Sequence, residues 1–221
     1  TGASNTALGY YALALNTTGA NNTSVGNAAL EDNTTGATNV AVGQNALKDN
    51  TTASYNIAVG SSSLASNSTG AENVAMGHSA MFANTTASSN TAIGHNAMAA
   101  NTTGADNTAC GRTSLATNTT GNYNVAVGLN ALNDNTTASY NTAVGYNSLA
   151  LNTTGTASTA VGYASLDANT TGTNDAFGNL SLSTNTTGTQ NSAFGHSSSF
   201  SVTTGNYNTA MGYGAGYYVS T

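Results

Sequence analysis

Asn39-Val40-Ala41-Val42-Gly43, followed by Gln44-Asn45-Ala46-Leu47 and then Asn50-Thr51-Thr52, decides the fold, because the chain repeats this stretch from end to end. As a 17-residue pattern it reads N-T/V-A-V-G-x-N-A-L-x-x-N-T-T-G-x-x. Its first glycine marks the period at Gly9, Gly26, Gly43, Gly60, Gly77, Gly94, Gly111, Gly128, Gly145, Gly162, Gly178, Gly195 and Gly212. Every interval is 17 residues except Gly162 to Gly178, which is 16, so one residue has been lost before Ala176. A fixed period of this length is the signature of a solenoid, in which each repeat is one structural unit stacked on the last.

Stacking turns equivalent positions into ladders, so the columns carry the information. An apolar residue precedes each marker glycine, as in Val25, Val42, Val59, Val127, Val144 and Val161. A second apolar column follows the glycine, including Leu30, Leu47, Leu64, Leu132, Leu149 and Leu166. These two are the predicted core ladders. A Thr column (Thr18, Thr35, Thr52 and their equivalents) is expected to supply the third inward position of each coil.

Helix is a poor fit: the apolar residues ignore the i, i+3, i+4 spacing, and Gly, Asn and β-branched residues recur throughout. Short strands broken by Gly- and Asn-rich turns fit better. The chain is therefore predicted to be all-β, a parallel β-solenoid with one repeat per coil and two or three short strands in each. A rise of ~4.8 Å per coil gives a rod on the order of 60 Å long for about 13 coils.

The residue before each Val column is small: Ala41, Ala58, Ala75 and their equivalents, with Ser24 in one copy. Side chains alternate across a strand, so one of these ladders faces the interior and the other faces out. Both are free of charge. A strand dry on both faces is usually covered on both, which predicts self-association into a homo-oligomer, a trimer being the first expectation.

Residues 1–221 read as one array with no linker. The chain opens at Thr1 inside a repeat, without Met, and is read as a fragment of a longer fibre protein. Charged residues make up 5% of it, against roughly 25% in ordinary domains. Lys48 and Arg112 are the only basic side chains, too few to neutralise a phosphate backbone, so nucleic acid is excluded as a partner. No apolar run is long enough for a membrane span, and no signal-peptide pattern opens the chain. Cys110 is the single cysteine and lies in the Val column, where a small buried hydrophobe is expected.

The Asn-Thr-Thr corner begins with Asn16, Asn33, Asn50, Asn67, Asn84, Asn101, Asn118, Asn135, Asn152, Asn169 and Asn185. One reading makes these a turn residue in left-handed geometry, stacked into an amide ladder. The other makes each Asn-x-Thr an N-glycosylation acceptor on a surface turn. A further hydroxyl column, Thr17, Thr34, Thr51 and onward, is the motive for an ice-binding alternative.

Chemistry-bearing residues do not converge. His78 and His95 fall in consecutive coils of one column, without a carboxylate or thiol beside them, which is a weak metal signal. The carboxylates are scattered, no calcium-loop pattern is present, and no Ser or Thr sits in a non-repetitive nucleophile setting. No catalytic, cofactor or metal site is predicted, and the chain is read as a non-enzyme.

Val40-Ala41-Val42-Gly43-Gln44-Asn45-Ala46 resembles the Ser-Val-Ala-Ile-Gly-x-x-Ala head repeat of trimeric autotransporter adhesins. The longer line Asn141-Thr142-Ala143-Val144-Gly145 through Asn152-Thr153-Thr154-Gly155 is similar to repeats of bacterial and phage tail-fibre-like proteins. The resemblance implies a trimeric surface β-roll that spaces out or presents binding domains, and it supplies no catalytic residue. The functional expectation is a structural and adhesive rod of an extracellular fibre, surface adhesin or tail fibre, on a cell surface or virion, meeting a cell-surface or glycan target. The alternatives are an ice-binding solenoid and a glycan-coated fibril scaffold.

Overall fold

The computed structural model describes residues 2–218 and divides into two compact units, one ending at Cys110 and the other beginning at Gly111. The first carries β1 (Thr6–Leu8), β2 (Thr23–Val25), β3 (Val40–Val42), β4 (Ile57–Val59), β5 (Val74–Met76), β6 (Thr91–Ile93) and β7 (Thr108–Cys110). The second carries β8 (Val125–Val127), β9 (Thr142–Val144), β10 (Thr159–Val161), β11 (Asp175–Phe177), β12 (Ser192–Phe194) and β13 (Thr209–Met211). Both are parallel β-solenoids with no helix among the described residues. Within each unit every strand pairs with the next in sequence, like over like: Val42 lies beside Val59 and Ala41 beside Ala58. At the shortened interval β10 and β11 keep this register, with Ala160 beside Ala176. Stacked rings report the same repeat, with Tyr146 and Tyr163 at 5.3 Å and nearly parallel.

Each coil holds one strand of three residues, not the two or three strands that the column spacing suggested. The reason is backbone handedness. In the coil after β3, Asn45, Leu47 and Tyr55 have φ of 56°, 51° and 63°, left-handed values that cost roughly 1–2 kcal/mol apiece for L-residues. They interrupt any extended run. The left-handed turns also aim successive N–H groups at opposite neighbours: Asn45 donates to the Asn27 carbonyl of the preceding coil at 2.9 Å, and Leu47 to the Ser63 carbonyl of the following coil at 3.0 Å. Inter-coil bonding therefore continues where the strand stops.

The middle strand residue points inward and the outer two point out, as alternation requires. Ala41, Ala58, Ala75, Ala92, Ala126, Ala143, Ala160, Ala176 and Ala193 are fully buried, as are Leu30, Leu47, Leu64, Leu132, Leu149 and Leu166. The other half of the predicted core is corrected: Val25, Val42, Val59, Val127, Val144 and Val161 lie on the outward face and are half-buried. The interior has no room for them. Ser24, standing in the Ala column, reaches across it and donates to the Ala29 carbonyl at 2.7 Å, so the walls are one small side chain apart.

The Thr35 and Thr52 column is likewise exposed, not inward; the corner turns its Asn amide inside and throws the next residues out. Gly60 shows how closely coils approach. At φ 130°, a β-carbon added there would sit 2.6 Å from the Gly77 carbonyl oxygen, which only glycine avoids.

Leu64→Ala is expected to cost about 2–5 kcal/mol as a core truncation, while Thr52→Ala on the exposed corner is expected to change stability by about 0.5 kcal/mol or less. Urea denaturation of the two variants checks this, and equal losses would overturn the assignment of inward and outward columns.

Candidate functional site

The corner asparagines are fully buried from Asn33 to Asn185 and form an amide ladder. In the first unit Asn50 Nδ2 donates to Asn33 Oδ1 at 2.9 Å, Asn67 to Asn50 at 3.0 Å and Asn84 to Asn67 at 2.8 Å. In the second, Asn135 donates to Asn118 at 2.8 Å and Asn169 to Asn152 at 3.1 Å. All but Asn185 also use Nδ2 to close their own corner, as Asn67 does on the Gly70 carbonyl at 2.9 Å. None of these asparagines has a left-handed backbone; that geometry belongs to the Leu column and two others. From Asn33 to Asn185 the nitrogen that would carry a sugar is inside the folded coil, and most of these nitrogens already donate two hydrogen bonds, as Asn67 Nδ2 does.

Sequence reasoning missed a second ladder, formed by the residue that opens each repeat. Asn39 N–H donates to Asn22 Oδ1 at 2.9 Å, and its Nδ2 donates to the Ala53 carbonyl at 2.9 Å. Asn56 and Asn73 repeat this upward. The signal is the recurrence of that opening Asn, replaced only by Ser158, which a solvent-facing strand start does not require. At the shortened coil the corner ladder is disturbed: Asn174 Nδ2 bridges to Asn169 Oδ1 at 3.1 Å. Asn185 Nδ2 is the one buried side-chain nitrogen without a hydrogen-bond partner among the described residues.

With the interior saturated, the candidate surface is the outward strand face. Its two columns pair Val40 with Val42, Ile57 with Val59, Val74 with Met76 and Thr91 with Ile93 in the first unit. In the second unit they pair Val125 with Val127 and Thr142 with Val144. Ile57, Met76, Ile93 and Phe194 are 38–41% exposed. Phe177 and Phe194 stack at 4.9 Å on this face. Cys110 occupies the same outward column and is exposed, which corrects the expectation of a buried thiol. Asp175 is the one charged residue among these strand positions.

Other polar groups are committed elsewhere or stand alone. The Thr34 column is half-buried, and its hydroxyls donate to the scaffold, Thr34 Oγ1 to the Thr51 carbonyl at 2.9 Å and Thr119 Oγ1 to the Thr136 carbonyl at 3.0 Å. His78 and His95 stack at 5.3 Å. Among the described residues no group of three or more His, Cys, Asp or Glu could hold a metal ion, and no helix is long and apolar enough to cross a membrane. Lys48 pairs with Asp49 at 3.1 Å on the surface, and that contact raises its pKa. Burial pushes the Asp167 carboxyl above its usual value. Protonation therefore favours the folded state there, and the small benefit fades as pH rises through the interval between the two pKa values. No family model, curated protein or solved structure matches this chain.

Asn67→Ala removes the donor to Asn50 and Gly70 and the acceptor for Asn84, leaving several buried groups unpaired at about 1–3 kcal/mol apiece. A loss of several kcal/mol in chemical denaturation is expected, well above that of any exposed Thr.

Proposed function

We propose that the chain is a structural segment of an extracellular fibre, surface adhesin or tail fibre, self-associated as a homotrimer through its outward strand face and serving to space or present binding domains. One observation carries this: the outward columns of both units are nearly uncharged and half-exposed along consecutive strands, while every inward position is already filled. A half-exposed apolar column of this kind, flanked by an uncharged one, marks an interaction surface. The repetitive interior suits the reading too, since each coil contacts only its neighbours and stability grows by addition of like units. It offers no pocket of converging acid, base and nucleophile of the sort a reaction needs.

The observations do not favour the alternatives equally. Ice binding was motivated by the Thr34 column, whose hydroxyls are occupied by the scaffold. A glycan-coated fibril needs reachable corner amides, and those are buried.

Sedimentation equilibrium is expected to return a multiple of the 21.8 kDa chain mass, with the trimer as the assembly. Replacing Val42 and Val59 together by Lys is expected to dissociate it without altering the circular dichroism. A wild-type chain that stays monomeric removes the basis of the proposal.

A further inference from the structure

The single 16-residue interval changes the surface as well as the ladder. Ordinary coils place two residues between the corner and the buried Asn or Ser: Gly155 is followed by Thr156 and Ala157, and Gly188 by Thr189 and Gln190. Gly172 is followed by Thr173 alone. The residue lost is the left-handed one, for Ala157 and Gln190 have φ of 54° and 59° and the shortened coil has no counterpart. Thr173 spans the gap, its Oγ1 donating to the Thr156 carbonyl at 2.8 Å and its own carbonyl accepting from the Gln190 N–H at 2.6 Å. An exposed column thereby loses one side chain. An open cavity of about 330 Å³ lies at this place, lined by Thr173, Asp175, Gln190, Ser192 and Tyr207 over the two asparagines beneath.

This lining differs from the rest of the molecule. Asp175 stands at a strand position that holds Thr, Val, Ile or Ser in every other coil. Tyr207 is 77% exposed, one coil beyond Gln190 in the same column. Among the described residues no hydrogen bond occupies the Asp175 carboxylate, the Gln190 amide, the Ser192 hydroxyl or the Tyr207 phenol. Two coil steps, about 10 Å, separate Thr173 from Tyr207 along the stack. The groups are thus unlike, free and close together, which an uninterrupted array does not offer.

We propose that this notch binds a neutral saccharide. The exposed Tyr207 ring supplies a flat apolar platform for the C–H face of a pyranose. The Asp175 carboxylate accepts hydrogen bonds from its hydroxyls, and charge-assisted bonds of this kind are the stronger ones. The Gln190 amide and the Ser192 hydroxyl donate and accept alongside it. The alternatives fit worse. A phosphate or carboxylate ligand would meet Asp175 with no cation in the lining, and a metal ion would find a single carboxylate. The proposal deepens the fibre reading by naming the ligand class such a segment would hold; because Asp175 and Ser192 stand in the outward strand columns, it places the contact between chains on the uncharged strands away from β11 and β12 and leaves the notch open.

The test is saturation-transfer NMR and calorimetry on the intact chain with maltose, lactose and N,N′-diacetylchitobiose as probes. At least one is expected to bind at millimolar concentration, with shifts at Asp175, Gln190 and Tyr207. Tyr207→Ala is expected to weaken binding about tenfold or more, as loss of an aromatic anchor does. Asp175→Asn is expected to weaken it with the dichroism unchanged. An alanine inserted between Thr173 and Asn174 restores the 17-residue interval, fills the notch and is expected to abolish binding. No binding by any of the three sugars, or binding that survives both Tyr207→Ala and the insertion, overturns the proposal. Sedimentation of the same samples separates the two ideas: assembly without sugar binding removes this site alone, and sugar binding by a monomer removes the fibre reading alone.

Discussion

One carbonyl per coil holds the architecture together. Ala53 O accepts from Asn39 Nδ2 at 2.9 Å, from one side of the corner, and from Asn50 Nδ2 at 3.1 Å, from the other. Both lone pairs of a buried oxygen are used, and both donors are themselves members of vertical ladders. The clamp therefore closes a coil and ties it to its neighbours in one act. Because buried amides are costly when unpaired, a coil displaced sideways would strand several polar groups at once. That penalty, more than the thin apolar core of Ala and Leu, specifies the register.

The clamp also explains what lies outside. With two asparagines, a leucine and small residues filling the interior, the space behind the strand holds Ala and, in one copy, Ser24, and the Val column is turned outward. Surface properties are then copied from coil to coil: uncharged, half-exposed and flat on the strand side, hydroxylated at the corner. Such monotony suits extended contact with another regular surface and is poorly suited to chemistry at a point. Selective recognition needs the repeat to fail somewhere, and the loss of one left-handed residue beside Thr173 is such a failure.

Several features are legible in the amino-acid sequence alone. The glycine spacing declares one coil per repeat, the stacking of Val42 beside Val59 follows from it, and the Leu column was recognisable as interior because it is large, apolar and regular. The outward placement of the Val column is not among them, because hydrophobicity alone does not say which of two alternating faces is inside. The Asn corners were ambiguous for a similar reason: Asn-x-Thr is written identically whether its amide faces solvent or a neighbouring amide.

Seventeen-residue periodicity by itself determined the class of fold and which residues stack, since like units in contact must repeat their contacts. Only the folded backbone decided the sign of each position, inward or outward. That sign depends on left-handed residues such as Leu47 and Tyr55, whose φ of 51° and 63° no side-chain pattern announces. The shortened interval was visible in the chain. That it leaves Asp175 and Tyr207 around one open cavity follows from which residue was lost, and three-dimensional closure alone revealed it.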